Sequence, residues 1–297
     1  MWSIRPRWSI PTWRKPASRD WPQSTERHMA TVALSIPSSL EVATLLHLLI
    51  AAAAAFLAGA INSVAGGGTL VSFPTLVWLG LPSITANATS TVAIWPGSLG
   101  SIWGFRSELG HSQPQLKLLS VSSLIGGAIG AILLRFTPTA IFERLVPFLI
   151  FFATILFFVE GPIQKRPRER GASDRDTLIW MPGALALNLL VAIYGGYFGA
   201  GMSIMMLSFL SILGLTDILQ MDALTSLFSL CVNGMAAILF ISLKMVDWRY
   251  VLPMAVAAII GGYGAAGVAR RIGRVAVRRF VIAVGVVVSV ILFVRLF

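Results

Sequence analysis

A stretch from Gly59 to Phe105 is apolar enough for a bilayer, yet glycines, prolines and small hydroxyl residues interrupt it where a spanning helix should run on. A second stretch, Ala192 to Phe240, repeats the pattern. Two Gly-broken apolar segments at matching places in two halves of a chain are the sequence pointer to a transporter binding site. This pair limits what the rest of the chain can become.

The surrounding composition fits the same limit, because 56% hydrophobic against 12% charged residues is not the balance of a soluble domain. Lipid offers the backbone no hydrogen-bond partner, so spans must be helices or a closed barrel. Apolar runs of about 20 residues without strand-like alternation select helices. The expected fold class is an all-α integral membrane protein of two homologous halves, with about eight transmembrane helices plus two short re-entrant or broken helices.

The net charge of +11 would point to nucleic acid in a soluble chain. Here the Lys and Arg residues fall between apolar segments and read as orientation signals and lipid headgroup contacts, so no nucleic-acid partner is expected. Cys231 is the single cysteine, which excludes a disulfide within the chain. His28, His47 and His111 make no metal spacing, and no GxxxxGK[ST] loop is present. No cofactor and no metal are expected. Enzyme chemistry is disfavoured because only Asp222 places an ionisable acid inside an apolar segment.

Four parts are read along the chain. Residues 1–42 form a basic, Trp-rich arm expected to be disordered or to lie on the membrane surface, and Met29 is an alternative start. Residues 43–160 are the first transmembrane repeat, 161–176 a charged linker and 177–297 the second repeat. An offset of 135 positions pairs Ala88 with Ala223, Phe105 with Phe240, Gly126 with Gly261 and Arg135 with Arg270. Nearer the front an offset of 133 pairs Gly66 and Gly68 with Gly199 and Gly201, so the chain reads as an internal duplication.

The second and seventh apolar segments, Leu70 to Leu81 and Ser203 to Leu215, are too short to cross a core of about 30 Å and read as re-entrant. Four crossings then remain in each half, which gives a parallel duplication with both termini and the linker on the cytoplasmic side. That arrangement sets 16 of the 23 Lys and Arg residues on the amino-terminal side and 7 opposite, as the positive-inside rule favours.

Where a helix restarts inside the membrane, its first N–H groups lack partners and carry the positive end of the dipole, which makes an anion site. Asn62, Ser63, Gly66, Gly67, Gly68 and Thr69 supply one such break, and Gly196, Gly199, Gly201 and Ser203 the other. Glycines 126, 127, 130, 261, 262, 264 and 267 lie within continuous spans and read as close-packing residues. Asn87, near the start of the third segment, is expected to orient substrate or cap its helix, and its partner Asp222 to carry a proton. An anion beside Asp222 would be repelled unless the acid were protonated, and burial disfavours the charged form.

The runs Ile61-Asn62-Ser63-Val64-Ala65-Gly66-Gly67-Gly68, Phe73-Pro74, Leu79-Gly80-Leu81-Pro82 and Pro96-Gly97-Ser98 resemble the TauE/SafE sulfite exporter family. Tyr194-Gly195-Gly196-Tyr197-Phe198-Gly199-Ala200-Gly201 and Val246-Asp247-Trp248 are similar to that family's second repeat. The resemblance implies a polytopic carrier, an exporter, for small sulfur-containing anions such as sulfite or organosulfonates. The expected mechanism is alternating access, with proton coupling at Asp222; the alternative is an anion or solute channel. Expected partners are the small anionic substrate, the lipid bilayer and a second copy in a homo-oligomer. The expected location is a bacterial inner membrane.

Overall fold

The computed structural model describes residues 23–63, 66–104, 114–164, 174–213, 215, 218–272 and 274–296, and the side chains of 42–63, 66–98, 117–158, 182–213, 215, 220–264 and 276–294. The chain divides into two compact units, Met1–Leu45 and Leu46–Phe297. Helices are α1 Gln23–Asn62, α2 Thr69–Trp78, α3 Ser83–Gly104, α4 Pro114–Phe136, α5 Thr139–Gln164, α6 Asp174–Tyr197, α7 Met202–Ile212, α8 Ile218–Ser242, α9 Trp248–Ile272 and α10 Arg274–Leu296. No strand occurs among the described residues. In the first unit, α1 begins at Gln23, within the arm expected to be disordered or to lie on the membrane surface. Helix also enters the expected linker from both ends, at α5 and α6.

Five stretches, Val42–Asn62, Lys117–Phe136, Thr139–Phe158, Gln220–Ser242 and Ala276–Val294, are long and apolar enough to cross a bilayer. Their outer faces carry large apolar side chains in the open: Leu49 is 67% exposed, Phe158 70% and Val294 74%. Such a surface is stable against lipid tails, not against water. The protein is an integral membrane protein. The two short helices have 10 and 11 residues, so each reaches about 15 Å, half of a hydrocarbon core.

The direction of the helices overturns the expected parallel duplication. The start of α3 (Pro82, Ile84, Thr85), the α4–α5 turn (Arg135 to Thr139) and the α8–α9 turn (Leu243 to Met245) line one common groove. Thus α4 ends on the face where α9 begins, although they are repeat counterparts. The halves are inverted. Contacts along α3 and α9 agree, since Thr89 meets the N–H of Asp247 and Gly97 lies against Ala258, which makes α3 and α9 parallel.

The sequence reading erred at the short helices. Helix α6 runs beside α4 in the same direction, with Ser122 bonded to Leu185, Asn188 to Leu119 and Gly130 facing Ile193. It therefore heads toward the groove face, while α8 starts from the opposite face and ends at the groove. Helix α7 must turn back, so α6 and α7 together make no net crossing. Three net crossings per half invert the second half, whereas four would have kept it parallel.

Partners are exchanged between the halves: α4 packs on α6 and α8, α9 packs on α3, and α5 packs on α10. Small residues permit the closest approaches. A Cβ on Gly130 would fall on the carbonyl of Ile193, one on Gly196 on the carbonyl of Gly127, and one on Gly261 on the carbonyl of Phe56. In membranes, where water does not drive helices together, this backbone proximity supplies the packing energy. Gly264 has nothing within 4 Å, so it does not share that packing role; Gly267 lies outside the residues whose side chains are described.

Candidate functional site

The first break lies between α1 and α2. Gly66 and Gly67 adopt φ of 69° and 87°, the left-handed region that favours glycine. The Oδ1 of Asn62 accepts a hydrogen bond from the Gly68 N–H at 2.7 Å, which ties the end of α1 to the start of α2. This fixes the amide's orientation and leaves its Nδ2 as the donor end. The Ser63 hydroxyl donates back to the Ala60 carbonyl at 2.8 Å. Thr69 opens α2 and is half-buried.

The second break lies between α6 and α7. Gly199 and Gly201 have φ of 79° and 77°. Tyr194 donates its hydroxyl hydrogen to the Ala200 carbonyl at 2.7 Å, so the turn is held from within α6. Neither α2 nor α7 has a side-chain cap at its start. Leu70, Val71, Met202 and Ile204 turn their N–H groups back onto glycine carbonyls of the breaks, so what each helix start offers an anion is its positive dipole end rather than a full set of open N–H groups.

The two breaks meet. A Cβ on Gly66 would collide with the Cβ and Oγ of Ser203 in the first turn of α7. Helix α5 lines both breaks: the Phe157 ring occupies the space beside Gly67, and Ala153 lies 3.3 Å from where a Gly201 Cβ would stand. Gly67 and Gly68 are therefore closely packed, Gly68 against the Ala58 carbonyl. Gly196 stands in the α4–α6 packing seam, away from the break.

Asn87 lies in the first turns of α3 and is 1% exposed. Its Nδ2 donates across the halves to the carbonyl of Tyr197, the last residue of α6, at 3.0 Å. That carbonyl is one of the acceptors a helix end leaves unsatisfied. The Oδ1 of the same amide is buried without a hydrogen-bond partner. Asp222, its counterpart on α8, is half-buried and engaged in an interaction of its own.

Several contacts of this region could not be read from the sequence. Phe73, Phe142, Tyr197 and Phe198 form an edge-to-face aromatic cluster beside the second break. Ser72 and Ser90 join α2 to α3 through hydroxyls 2.6 Å apart. Trp95 donates from Nε1 to the Leu230 carbonyl at 3.3 Å, across a separation of 135 positions. That separation equals the repeat offset, so two counterparts touch and the pseudo-two-fold axis passes near them. The offset was readable in the sequence; its meaning required knowing that the halves are inverted.

Across residues 51–292 the chain matches the family model described as Sulfite exporter TauE/SafE. It belongs to the TauE/SafE family. It is 26% identical to a probable membrane transporter protein of Haemophilus influenzae over 76% of this chain and 87% of that one. It is 26% identical to the probable membrane transporter protein YfcA of Escherichia coli K12, over 79% and 85%. A Sinorhizobium relative, probable membrane transporter protein ORF9, is 29% identical over 70% of this chain and 77% of its own. No solved structure matches the chain. Family and relatives make this TauE/SafE protein a membrane transporter.

Proposed function

We propose that this chain is a secondary transporter of small sulfur-containing anions, sulfite or simple organosulfonates, exporting them by alternating access from a bacterial inner membrane. The observation that carries the reading is the abutment of Gly66 and Ser203, which brings two glycine-broken helix starts from inverted halves to one place. Inverted repeats are suited to alternating access because each half can adopt the conformation of the other. The family's description supplies the sulfite class. Asn87 orients the substrate, its unpartnered Oδ1 accepting from the hydroxyl of hydrogensulfite, a contact that a sulfonate, having no such proton, does not make, and Asp222 carries the coupling proton. Asn62, Ser63, Thr69 and Ser203 complete the surround.

The test is flux of radiolabelled sulfite and ethanesulfonate in proteoliposomes. Saturable counterflow from preloaded vesicles is expected, whereas flux rising linearly with concentration would indicate a channel. Ser203→Ala is the cleaner site variant, because a side chain at Gly67 would strike Phe157 and disturb packing directly. Asp222→Asn should retain counterflow and lose acceleration by an imposed pH gradient. Unchanged acceleration would remove Asp222 from the coupling role.

A further inference from the structure

The groove that revealed the inversion has no role in the site just described. It encloses about 540 Å³ at one membrane face and is lined by Arg135, Lys244, Thr85, Thr137 and Thr139, with Pro82 and Phe136 among its apolar walls. Two cations thus face a common space from different halves, Arg135 in the last turn of α4 and Lys244 in the α8–α9 turn. Among the described residues neither takes part in an ion pair. Of the acids near these turns, Glu143 accepts the Ser83 hydroxyl at 3.3 Å and Asp247 accepts the Arg249 N–H at 3.0 Å, bonds that engage the two carboxylates without neutralising their charge.

Lys244 has φ of 54°, and among the described residues it alone combines positive φ with a side chain. Such backbone is costly for a side-chain-bearing residue and persists where its surroundings hold it. The turn itself is held, through Lys244 N–H to Ile241 O at 3.1 Å and Met245 N–H to Phe240 O at 2.9 Å. The Lys244 backbone is thereby fixed at the groove, and its exposed side chain lines it.

From the groove a chain of bonds leads inward. Tyr197 donates its hydroxyl hydrogen to Thr137 at 3.3 Å, and the Tyr197 carbonyl holds Asn87. The groove is therefore one side chain away from the second break.

We propose that this groove is an outer anion-binding site, in which Arg135 and Lys244 jointly hold a small oxoanion ahead of the break. The inference rests on the anion-transport reading for its place on the path. A sulfonate or sulfite ion and the phosphate of a lipid headgroup share the chemistry that the cation pair recognises.

The experiment uses the full chain in phosphatidylcholine nanodiscs, titrated calorimetrically with sulfite and ethanesulfonate, beside the same chain in proteoliposomes. Arg135→Gln with Lys244→Gln should weaken anion affinity at least tenfold at low salt, with the difference shrinking at high salt as the pair is screened. KM for uptake should rise in parallel while maximal rate stays within about twofold. Arg135→Lys with Lys244→Arg should restore most of the affinity. Each single Gln variant should give an intermediate loss, which keeps the measurement readable if the double variant melts early.

Phosphatidylglycerol nanodiscs separate the two sources. If anionic lipid displaces sulfite from the wild type through the same two residues, a headgroup is the resident ligand. Wild-type affinity and KM in the double variant, or no anion and no lipid dependence on the pair, overturns the site. Anion binding through the pair without transport would keep the groove and remove the transport reading. Transport with KM indifferent to the pair would do the reverse.

Discussion

Gly261→Ala is expected to leave little folded protein, whereas Gly264→Ala, three residues along the same helix, is expected to be neutral. A methyl on Gly261 would occupy the position of the Phe56 carbonyl oxygen, with the carbonyl carbon 2.8 Å away. Backbone cannot turn aside as a flexible side chain can, so α1 and α9 would have to separate. Overpacking a tight interface costs about 1–3 kcal/mol even where side chains give way. Here the displacement also pulls α9 from α3, where Thr89 accepts the Asp247 N–H and Gly97 lies near Ala258. At Gly264 nothing stands within 4 Å, and alanine gains up to about 1 kcal/mol in helix propensity. Size-exclusion profiles and melting temperatures of the two variants in one detergent check the contrast. Equal melting temperatures would mean that the α1–α9 seam contributes no stability.

That contrast also marks how far the sequence could be read. Helicity, the duplication and the two short segments were legible because apolar run length and the spacing of Gly66, Gly68, Gly199 and Gly201 are properties of the chain itself. The hand of the duplication was not, because it depends on whether a half-length helix returns to the face its predecessor came from. Both possibilities have the same hydropathy. Counting Lys and Arg favoured the wrong one, since five of those residues in the linker moved together with the choice of side.

Within the site, glycine composition could not distinguish residues that expose backbone from residues that admit a neighbour. Gly196 and Gly199 are three residues apart, yet one faces the Gly127 carbonyl and the other a left-handed turn. Nor could the sequence show that Asn62 spends its oxygen on Gly68, or that Asn87 reaches over to Tyr197. Those bonds join parts separated by a fold, and only the groove's shape brings Arg135 and Lys244 into one reading.

Asn87→Asp should reduce transport more than tenfold at neutral pH and regain much of it as pH falls. The native amide does two things at once: Nδ2 donates to the Tyr197 carbonyl, and Oδ1 remains an unpartnered acceptor in a site that is 1% exposed. A carboxylate has the same shape but no donor, so an oxygen would face the carbonyl oxygen of Tyr197 and a charge would be buried beside an incoming anion. The protonated acid can donate as the amide does, so activity recovers on acidification rather than on alkalinisation. Asn87→Ala lacks both functions and leaves the α6 carbonyl without its donor, a loss of about 1–3 kcal/mol that no pH restores. Rates for both variants, measured in proteoliposomes between mildly acidic and mildly alkaline pH alongside melting temperatures, separate the contributions. A purely structural Asn87 would lower melting temperature and rate together in both variants, with Asn87→Asp regaining both in step on acidification, while wild-type rates in Asn87→Asp at every pH would remove the residue from the site. Acid rescue of the rate that exceeds what the accompanying rise in melting temperature accounts for is the outcome that assigns the Asn87 amide to the transported anion, because the bond to Tyr197 alone would move rate and stability together.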